Sequence, residues 1–285
     1  MTKTLGIIGG DKRFLFTAKA FADDNWKVKL FGFTKISADD YDVCNSLEEI
    51  KYCDLLVFPV PPVKDGVVNA PFAKNPIAFN KELADSLKGK KVFLPMKEKV
   101  VALCNEFKNV DCKDYFKRED FTLLNAYITA EGALQVLLNS FEGSVLDSRI
   151  LICGFGRIGK CLAKILKDLN ADVTVSARKS EDFAKITING YKPLHTEQIK
   201  EVKDFDVVFN TVPSLIFTKE VLKNTHKNTL FIDLASLPGG IDKASAKEYN
   251  IDVIHALALP GITAPKKAGE IIKDTIVKML KEDNG

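Results

Sequence analysis

The sequence has few of the residues and patterns that mark metal sites, secretion or membrane insertion. Its six cysteines form no CxxC pair, and it has only three histidines, so no zinc site is expected. The N-terminal MTKTLGIIGGDKRF lacks the long apolar run and small-residue cleavage site of a secretory signal. No apolar run approaches the length that spans a bilayer. These absences predict a cytoplasmic protein with reduced cysteines, no metal and no membrane contact.

The sequence also has little excess of one charge sign over the other. The formal net charge of +3 suits small anionic ligands but is far from the concentrated basic surface of a nucleic-acid-binding protein. Neither a Ser-His-Asp set nor a pair of catalytic carboxylates stands out. What is present is ordinary for a soluble protein, with 46% apolar and 28% charged residues in 285, enough for two modest domains.

Short apolar runs alternate with helical patterns in both halves of the chain. They are too continuously apolar to have one hydrated face, which is typical of parallel strands covered on both sides. The predicted fold is α/β, with two Rossmann-like doubly wound parallel sheets and a cleft between them. The predicted strands are TLGIIGG, VKLFGF, DLLVFPV and KKVFLPM in the first half, and RILICGFG, DVTVSAR, DVVFNTV, TLFIDLAS and DVIHALAL in the second.

The domain boundaries follow from this alternation. Residues 1–125 are predicted to form an N-terminal Rossmann-like substrate and catalytic domain, and 146–262 a domain that binds NAD(P). Residues 126–145 connect them through an apolar helix from about Ala130 to Phe141. Residues 263–285 form a last helix, with Pro265 near its first turn, that is expected to pack at the domain junction.

A glycine motif in the second half predicts a phosphate site. Gly154, Gly156 and Gly159 form G-x-G-x-x-G directly after a strand and at the start of a helix. The first glycine makes the tight turn, the second admits a pyrophosphate, and the third allows close helix–strand packing. The amides and helix dipole of this segment, with Phe155, Arg157 and Ile158 between the glycines, would bind the phosphates.

The end of the next strand bears on the choice of dinucleotide. An NAD site usually holds an acidic residue there, but this strand ends in SARKSE, with Ala177 or Arg178 at the acidic position. Arg178 and Lys179 can pair with a 2′-phosphate, which a carboxylate would repel. Ser176 and Ser180 can donate to the same phosphate. NADP is therefore the expected cofactor, although a solvated basic turn that accepts NAD is the alternative.

Three further loops follow strands of the same sheet and are expected to line the nicotinamide end of the site. Their polar and turn residues can also be explained as helix caps and tight turns. The predicted ligand contacts in these loops, including one residue of the last helix, are Asn210, Thr211, Val212, Pro213, Ser214, Ser236 and Lys266, with Asp233 as a candidate base.

The first half has a glycine loop of its own, GIIGGDKRF, but it is not a second fingerprint. Gly9 and Gly10 are followed by Asp11, which would oppose a phosphate. Arg13 could hold a carboxylate through two hydrogen bonds, or could be an exposed residue of a tight turn.

Two other residues are candidates for proton transfer. Lys97 follows a strand, and Glu131 is predicted in the first turn of the connecting helix, with Thr129 as its N-cap. Glu131, Lys97 and Asp233 are unranked as general acid or base.

Several motifs together resemble one family. GGDKR, TAEGAL, GFGRIGK, ARKS, NTVPS, DLASLPGG and LALPGITAPKKAG resemble the A subunit of dipicolinate synthase from spore-forming bacteria, in the right order over nearly the whole chain. The resemblance is weakest between residues 35 and 115. It implies oxidation of a dihydrodipicolinate-type intermediate of the lysine pathway to dipicolinate, with NAD(P)⁺ as hydride acceptor. It also implies a partner, the B subunit of dipicolinate synthase, and a place in the mother cell during sporulation.

The resemblance leaves the substrate contacts and two alternatives open. A flat dicarboxylate requires cationic or hydrogen-bonding groups on both sides, and Arg13, Thr129, Ser214 and Lys266 are the candidates. The two-domain plan also looks like that of D-2-hydroxyacid dehydrogenases, but their Arg/Glu/His set is not evident. The alternatives are an NADP-dependent oxidoreductase of that type with another substrate, or a regulatory subunit that binds a dinucleotide. An oligomer is expected in each case.

Overall fold

The computed structural model describes residues 3–36, 41–201 and 203–283. The chain divides into two compact units, one formed by Met1–Asn125 with Ala264–Gly285 and the other by Ala126–Thr263. Each contains one parallel sheet with flanking helices, so the predicted pair of Rossmann-like sheets is confirmed.

The first unit is built on a five-stranded parallel sheet in the order β3-β2-β1-β4-β7. Its central strand β1 is apolar throughout its buried part, with Leu5, Ile7 and Ile8 fully buried. The order reverses beside β1, where a doubly wound sheet places its crevice. The strands are β1 (Thr4–Ile8), β2 (Lys27–Phe31), β3 (Asp42–Cys44), β4 (Leu55–Val57) and β7 (Lys91–Phe93), and a separate hairpin is formed by β5 (Val63–Lys64) and β6 (Val67–Val68).

The helices of the first unit come from both ends of the chain. Helix α10 (Pro265–Glu282) packs along α1 (Lys12–Asp23), where the Thr17 hydroxyl donates to the Gly269 carbonyl at 3.1 Å. Pro265 occupies the first turn of α10, as predicted. The remaining α-helices are α2 (Lys81–Ser86) and α3 (Lys97–Val101), and single 3-10 turns span Leu47–Ile50, Asn105–Asn109 and Tyr115–Lys117.

The second unit contains a six-stranded parallel sheet in the order β10-β9-β8-β11-β12-β13. The order reverses between β8 and β11. The strands are β8 (Arg149–Cys153), β9 (Asp172–Ala177), β10 (Lys192–His195), β11 (Val207–Asn210), β12 (Leu230–Asp233) and β13 (Val253–His255). The helices are α5 (Arg157–Asp168), α6 (Ser180–Ile188), α7 (Lys219–Lys223), α8 (Lys243–Glu248) and α9 (Leu259–Thr263), with a 3-10 segment Thr196–Glu201.

The connecting helix is longer than the sequence pattern suggested. Helix α4 spans Glu119–Ser140 rather than beginning near Ala130. Glu119 and Asp120 lie in its first turn, where carboxylates favour a helix start. The prediction that Thr129 caps this helix was therefore wrong, because Thr129 is a buried residue of its interior.

Helix α4 also contradicts the expectation that no apolar run approaches the length that spans a bilayer. By length and composition this helix could cross a membrane, although 44% of its most apolar window is buried inside the protein. A core helix of a soluble protein passes the same test, so the feature alone is weak support for a membrane span.

All six cysteines are free thiols. Cys44 and Cys153 are fully buried, and burial raises the pKa of each thiol to about 12. Cys161, by contrast, is only half-buried. The thiolate of the buried residues is thus suppressed at neutral pH, which fits a packing role.

Candidate dinucleotide-binding site

The glycine loop after β8 has the geometry that the motif predicts. Gly154 has φ +99°, a conformation that favours glycine. A Cβ on Gly159 would lie 2.1 Å from the Gly154 carbonyl oxygen, so this helix–loop contact admits only glycine. A Cβ on Gly156 would meet no atom within 4 Å. The loop is therefore closed on the protein side and open at Gly156.

The open side of the loop offers unpaired backbone donors. Within the described residues, the N–H groups of Phe155 and Gly156 have no hydrogen-bond partner. Helix α5 starts after Gly156 with no side-chain cap and no acidic residue in its first turn, and Arg157 is its first residue. Free amides and a helix N-terminus without a carboxylate bind anions. These residues fit the pyrophosphate of a dinucleotide.

The loop after β11 packs against the glycine loop at the point where the strand order reverses. The Thr211 hydroxyl donates to the Cys153 carbonyl at 2.8 Å, and the Thr211 amide donates to the same oxygen at 3.0 Å. Thr211 and Val212 also lie directly against Gly154. The loops after β8 and β11 thus meet at the topological switch point, where open α/β sheets bind their ligands.

The end of β9 carries exposed cations and no carboxylate at the position usually occupied by an acidic residue. Arg178, Lys179 and Ser180 are all exposed. Arg178 makes no salt bridge in the described parts of the chain, and the Lys179 ammonium lies 3.9 Å from the Glu181 carboxylate. Ser176 requires a correction: it is 1% exposed, so its hydroxyl is not placed to donate to a cofactor phosphate.

Asn210 and Asp233, predicted as a ligand contact and a candidate base, form a buried polar pair at the ends of β11 and β12. Asn210 and Asp233 are register partners in neighbouring strands and are 0% and 1% exposed. The Asn210 amide donates to the Asp233 carboxylate at 2.8 Å. Pro213, Ser214 and Ser236, in the loops that follow, are more accessible than the pair. In the first of these loops Thr211 and Val212 are half-buried, so they too are more accessible than the pair.

One histidine that was not among the predicted site residues lies at this edge of the sheet. His255 ends β13, and its Nε2 lies 3.0 Å from the Ala235 carbonyl oxygen. Its Nδ1 lies 3.3 Å from the Lys243 ammonium. His255 thereby ties the loop after β12 to the neighbouring strand. Parallel pairing of β12 with β13 was the signal that would have placed it there.

Of the residues predicted to act in proton transfer, Glu131 is the most accessible. It is exposed on α4 and has no partner within the described chain. The adjacent Gly132 packs against α9, because a Cβ there would lie 2.8 Å from Leu259 Cβ. Since α9 follows β13, this part of α4 lies beside the carboxyl-end segments of the second sheet.

The first unit holds the remaining candidates. The Arg13 side chain, 8% exposed, is paired with the Asp11 carboxylate through Nε and Nη2, at 2.9 Å and 2.8 Å. Its Nη2 also donates to the Val60 carbonyl at 2.6 Å. The Lys97 ammonium donates to the backbone carbonyls of Lys108 and Val110. Lys266 is exposed in the first turn of α10.

Two models of known protein families match this chain, one over its first part and one over the part that contains the open glycine loop. Residues 4–116 match the model of the N-terminal domain of the dipicolinate synthase A subunit. Residues 114–236 match the NAD binding domain of D-isomer specific 2-hydroxyacid dehydrogenases. The second match covers the open glycine loop and the strands that follow it.

Whole-chain similarity decides the family. The chain is 31% identical to the dipicolinate synthase A subunit of Bacillus subtilis, over 98% of this chain and 96% of that protein. The chain belongs to the family of dipicolinate synthase A subunits. The crystal structure of the Bacillus halodurans member superposes with a TM-score of 0.86 at 29% identity, over 98% of this chain and 97% of that one. The Bacillus subtilis structure gives 0.85 at 30% identity, over 99% and 97%.

Family membership and the dehydrogenase-type domain together establish the class of chemistry. This member of the dipicolinate synthase family is an oxidoreductase that depends on a nicotinamide dinucleotide. The residues around the open glycine loop fit such a cofactor.

Proposed function

We propose that this protein oxidises a dihydrodipicolinate-type intermediate of the lysine pathway to dipicolinate with NADP⁺ as hydride acceptor, acting with the B subunit of dipicolinate synthase. The setting is the cytoplasm of the mother cell during sporulation. The observation that carries the cofactor part is the open Gly156 loop, combined with exposed Arg178 and Lys179 and no acidic residue at the end of β9. The substrate, the pathway and the partner are supported by the identity of the relatives, which are A subunits of dipicolinate synthase.

Residues of the second unit are assigned to the parts of the cofactor by where each strand ends. The amides of Phe155 and Gly156 and the start of α5, with Arg157, Ile158 and Gly159, hold the pyrophosphate. Arg178, Lys179 and Ser180 hold the 2′-phosphate, since two cations favour it and no carboxylate opposes it. The loops after β11 and β12 are assigned to the nicotinamide side, with Thr211, Val212, Pro213 and Ser236. The bound nicotinamide supplies the hydride acceptor.

The reaction requires one proton acceptor besides the hydride acceptor. A carbon–hydrogen bond of the dihydropyridine ring breaks with transfer of its electron pair, a proton leaves the same ring, and an aromatic dicarboxylate remains. We assign the proton to Glu131, because its carboxylate is exposed and unpaired within the described chain. We assign a structural role to Lys97, since its ammonium already donates to two backbone carbonyls.

The carboxylates of the substrate are assigned to cationic and hydroxyl groups. Within the described chain, Arg13 has its Nη1 donors left after the bonds to Asp11 and Val60. Lys266 and Ser214 are exposed and complete the proposed set. Thr129 is buried in α4 and is the weakest member of the predicted set.

The first experiment compares NADP⁺ and NAD⁺ binding by calorimetry in the wild type and in Arg178→Asp. We expect the wild type to prefer NADP⁺, and the variant to lose about 10- to 100-fold in NADP⁺ affinity while NAD⁺ binding changes little. Lys185→Asp, in the last turn of α6, makes the same change of charge and is the control. Equal binding of both dinucleotides by the wild type would refute the assignment of the 2′-phosphate.

A second experiment tests the substrate. Freshly prepared dihydrodipicolinate is offered with NADP⁺, with and without the B subunit, and reduced cofactor is followed by absorbance. Reduction that requires the B subunit is the expected result. Turnover of a 2-hydroxyacid by this chain alone, without turnover of dihydrodipicolinate, would overturn the proposal in favour of a different oxidoreductase.

A further inference from the structure

The buried pair Asn210–Asp233 joins two loops of the cofactor site. Asp233 Oδ1 accepts from the Asn210 side-chain amide at 2.8 Å and from the Ala235 backbone amide at 3.1 Å. Its Oδ2 accepts from the Gly240 amide at 3.0 Å. The carboxylate therefore holds both ends of the turn 235–240, which contains Ser236.

Asn210 extends the same network to the neighbouring loop. Its Oδ1 accepts from the Val212 amide at 3.2 Å, and its Nδ2 donates to the Val212 carbonyl at 3.0 Å. The loop backbone closes directly on the pair, because a Cβ on Gly240 would lie 2.3 Å from Asn210 Nδ2. The Asn210 side chain thus fixes the start of loop 211–214 and couples the position of this loop to Asp233.

The partners of Asp233 define what its carboxylate does. Within the described residues, the three groups that reach it are N–H donors, so both oxygens serve as acceptors in a buried site. At 1% exposed, the carboxylate also offers no surface to a substrate. A group in this position is suited to holding its neighbours in place and unsuited to exchanging protons with a bound molecule.

We propose that Asp233 is a positioning residue, not a catalytic base. It holds the turn 235–240 directly and the loop 211–214 through Asn210, in the arrangement that receives the dinucleotide. The proposal rests on the proposed cofactor contacts in those loops, namely Thr211, Val212 and Ser236. It assigns to the pair Asn210–Asp233 a role in cofactor affinity that does not require contact with the cofactor.

The test uses Asp233→Asn, Asn210→Asp and the double variant that exchanges the two residues. Asp233→Asn places an amide against N–H donors, so we expect NADPH affinity, measured by fluorescence without turnover, to fall about 10-fold or more. The exchanged pair restores one donor, one acceptor and one charge, so part of this loss should be recovered. Asp242→Asn is the matched control, because Asp242 also accepts from two backbone amides in the second unit but caps α8.

Kinetics separate positioning from catalysis. A positioning role predicts a raised KM for NADP⁺ and an unchanged shape of the pH profile of kcat in each variant. The proposal is overturned if Asp233→Asn keeps wild-type NADPH affinity, or if it loses kcat together with one limb of the pH profile.

A milder variant covers the case in which Asp233→Asn does not fold. Asn210→Ser removes the link to Val212 but leaves the Asp233 bonds to Ala235 and Gly240. We expect it to fold and to lose NADPH affinity about 3- to 10-fold. Unchanged affinity in this variant would refute the positioning role. Absence of dinucleotide binding by the wild type would instead refute the proposed function.

Discussion

The two units contain the same strand–glycine loop–helix connection, but the two loops differ in their hydrogen bonds and in the charge at the start of the helix. After β1, the Gly9 amide donates to the Phe31 carbonyl and the Gly10 amide to the Asn69 carbonyl, both at 2.8 Å. Asp11 then caps α1 by accepting from the Arg13 amide at 3.0 Å. After β8, the amides of Phe155 and Gly156 have no partner in the described chain, and α5 has no side-chain cap.

The difference lies in the charge at the start of the helix. In the first unit the Asp11 carboxylate caps α1 and is paired with the buried Arg13 guanidinium. In the second unit the first turn of α5 has no carboxylate, and Arg178 has no salt bridge among the described residues. The comparison predicts that changes to the first loop alter stability, whereas changes to the second alter affinity.

The largest effect is expected from Gly159→Ala in the second loop. The new methyl group would lie 2.1 Å from a backbone oxygen, so the loop must move rather than a flexible side chain. We expect dinucleotide affinity to fall about 100-fold or more, the equivalent of about 2.8 kcal/mol. Calorimetry measures the affinity, and urea unfolding measures the accompanying loss of stability. Wild-type affinity would show that this close contact does not shape the site.

In the first loop, Asp11→Ala is expected to act on stability alone. It removes the cap of α1 and leaves the buried Arg13 without its partner. Because Asp11 is partly exposed, the expected loss of unfolding free energy is near the lower end of about 3–5 kcal/mol. Dinucleotide affinity, measured where the variant is folded, should not change. Asp23→Ala, exposed on the same helix, is the control. A fall in affinity with Asp11→Ala alone would contradict the division of roles.

Gly156→Ala sharpens the comparison because its methyl group would touch no protein atom within 4 Å. The substitution should leave stability nearly unchanged and lower dinucleotide affinity about 10-fold, since the methyl group enters the space assigned to the pyrophosphate. Parallel thermal unfolding and binding measurements check this. A variant that is destabilised but binds normally would show that the open side of the loop is not the ligand side.

The last effect is confined to alkaline pH. Burial raises the pKa of Cys153, just before the second glycine loop, from 9.0 to about 12. The thiol ionises more readily in the unfolded chain, so its contribution to stability is full below pH 9.0 and is lost as pH rises towards 12. Ile8, before the first loop, has no group that titrates. Unfolding free energy measured across this range should decline less steeply in Cys153→Ala, and equal slopes would refute the prediction.

Much of the fold could be predicted because its central strands are continuously apolar. All nine predicted strands are present, including β1 and β8 with their glycine loops. The missed elements carry weaker signals. Strand β10 is a short edge strand, KPLH, whose Pro193 argues against a central strand. The start of α4 differs from the prediction because the apolar pattern does not include the carboxylates of Glu119 and Asp120, which favour a helix start.

The backbone geometry of the candidate site could be predicted from the sequence, but the burial and the hydrogen-bond partners of its side chains could not. The roles of Gly154, Gly156 and Gly159 follow from a spacing, and their predicted geometry agrees with the structure. The burial of Ser176 and of Asp233 depends on which face of a strand end points inward and which loop folds over it. Likewise, the pairing of Asp11 with Arg13 depends on a local bond that composition does not reveal.

The position of α10 in the first unit has a consequence for how the chain is made. Thr17 in α1 contacts Gly269 in α10 across 252 positions of sequence, and Lys273 pairs with Asp24 at the end of α1. During synthesis, the complete second unit leaves the ribosome before the first unit obtains this helix. The second unit is therefore the part that can fold first, while α1 keeps one side uncovered until α10 has been synthesised. Nascent chains released before Pro265 would present that surface to chaperones.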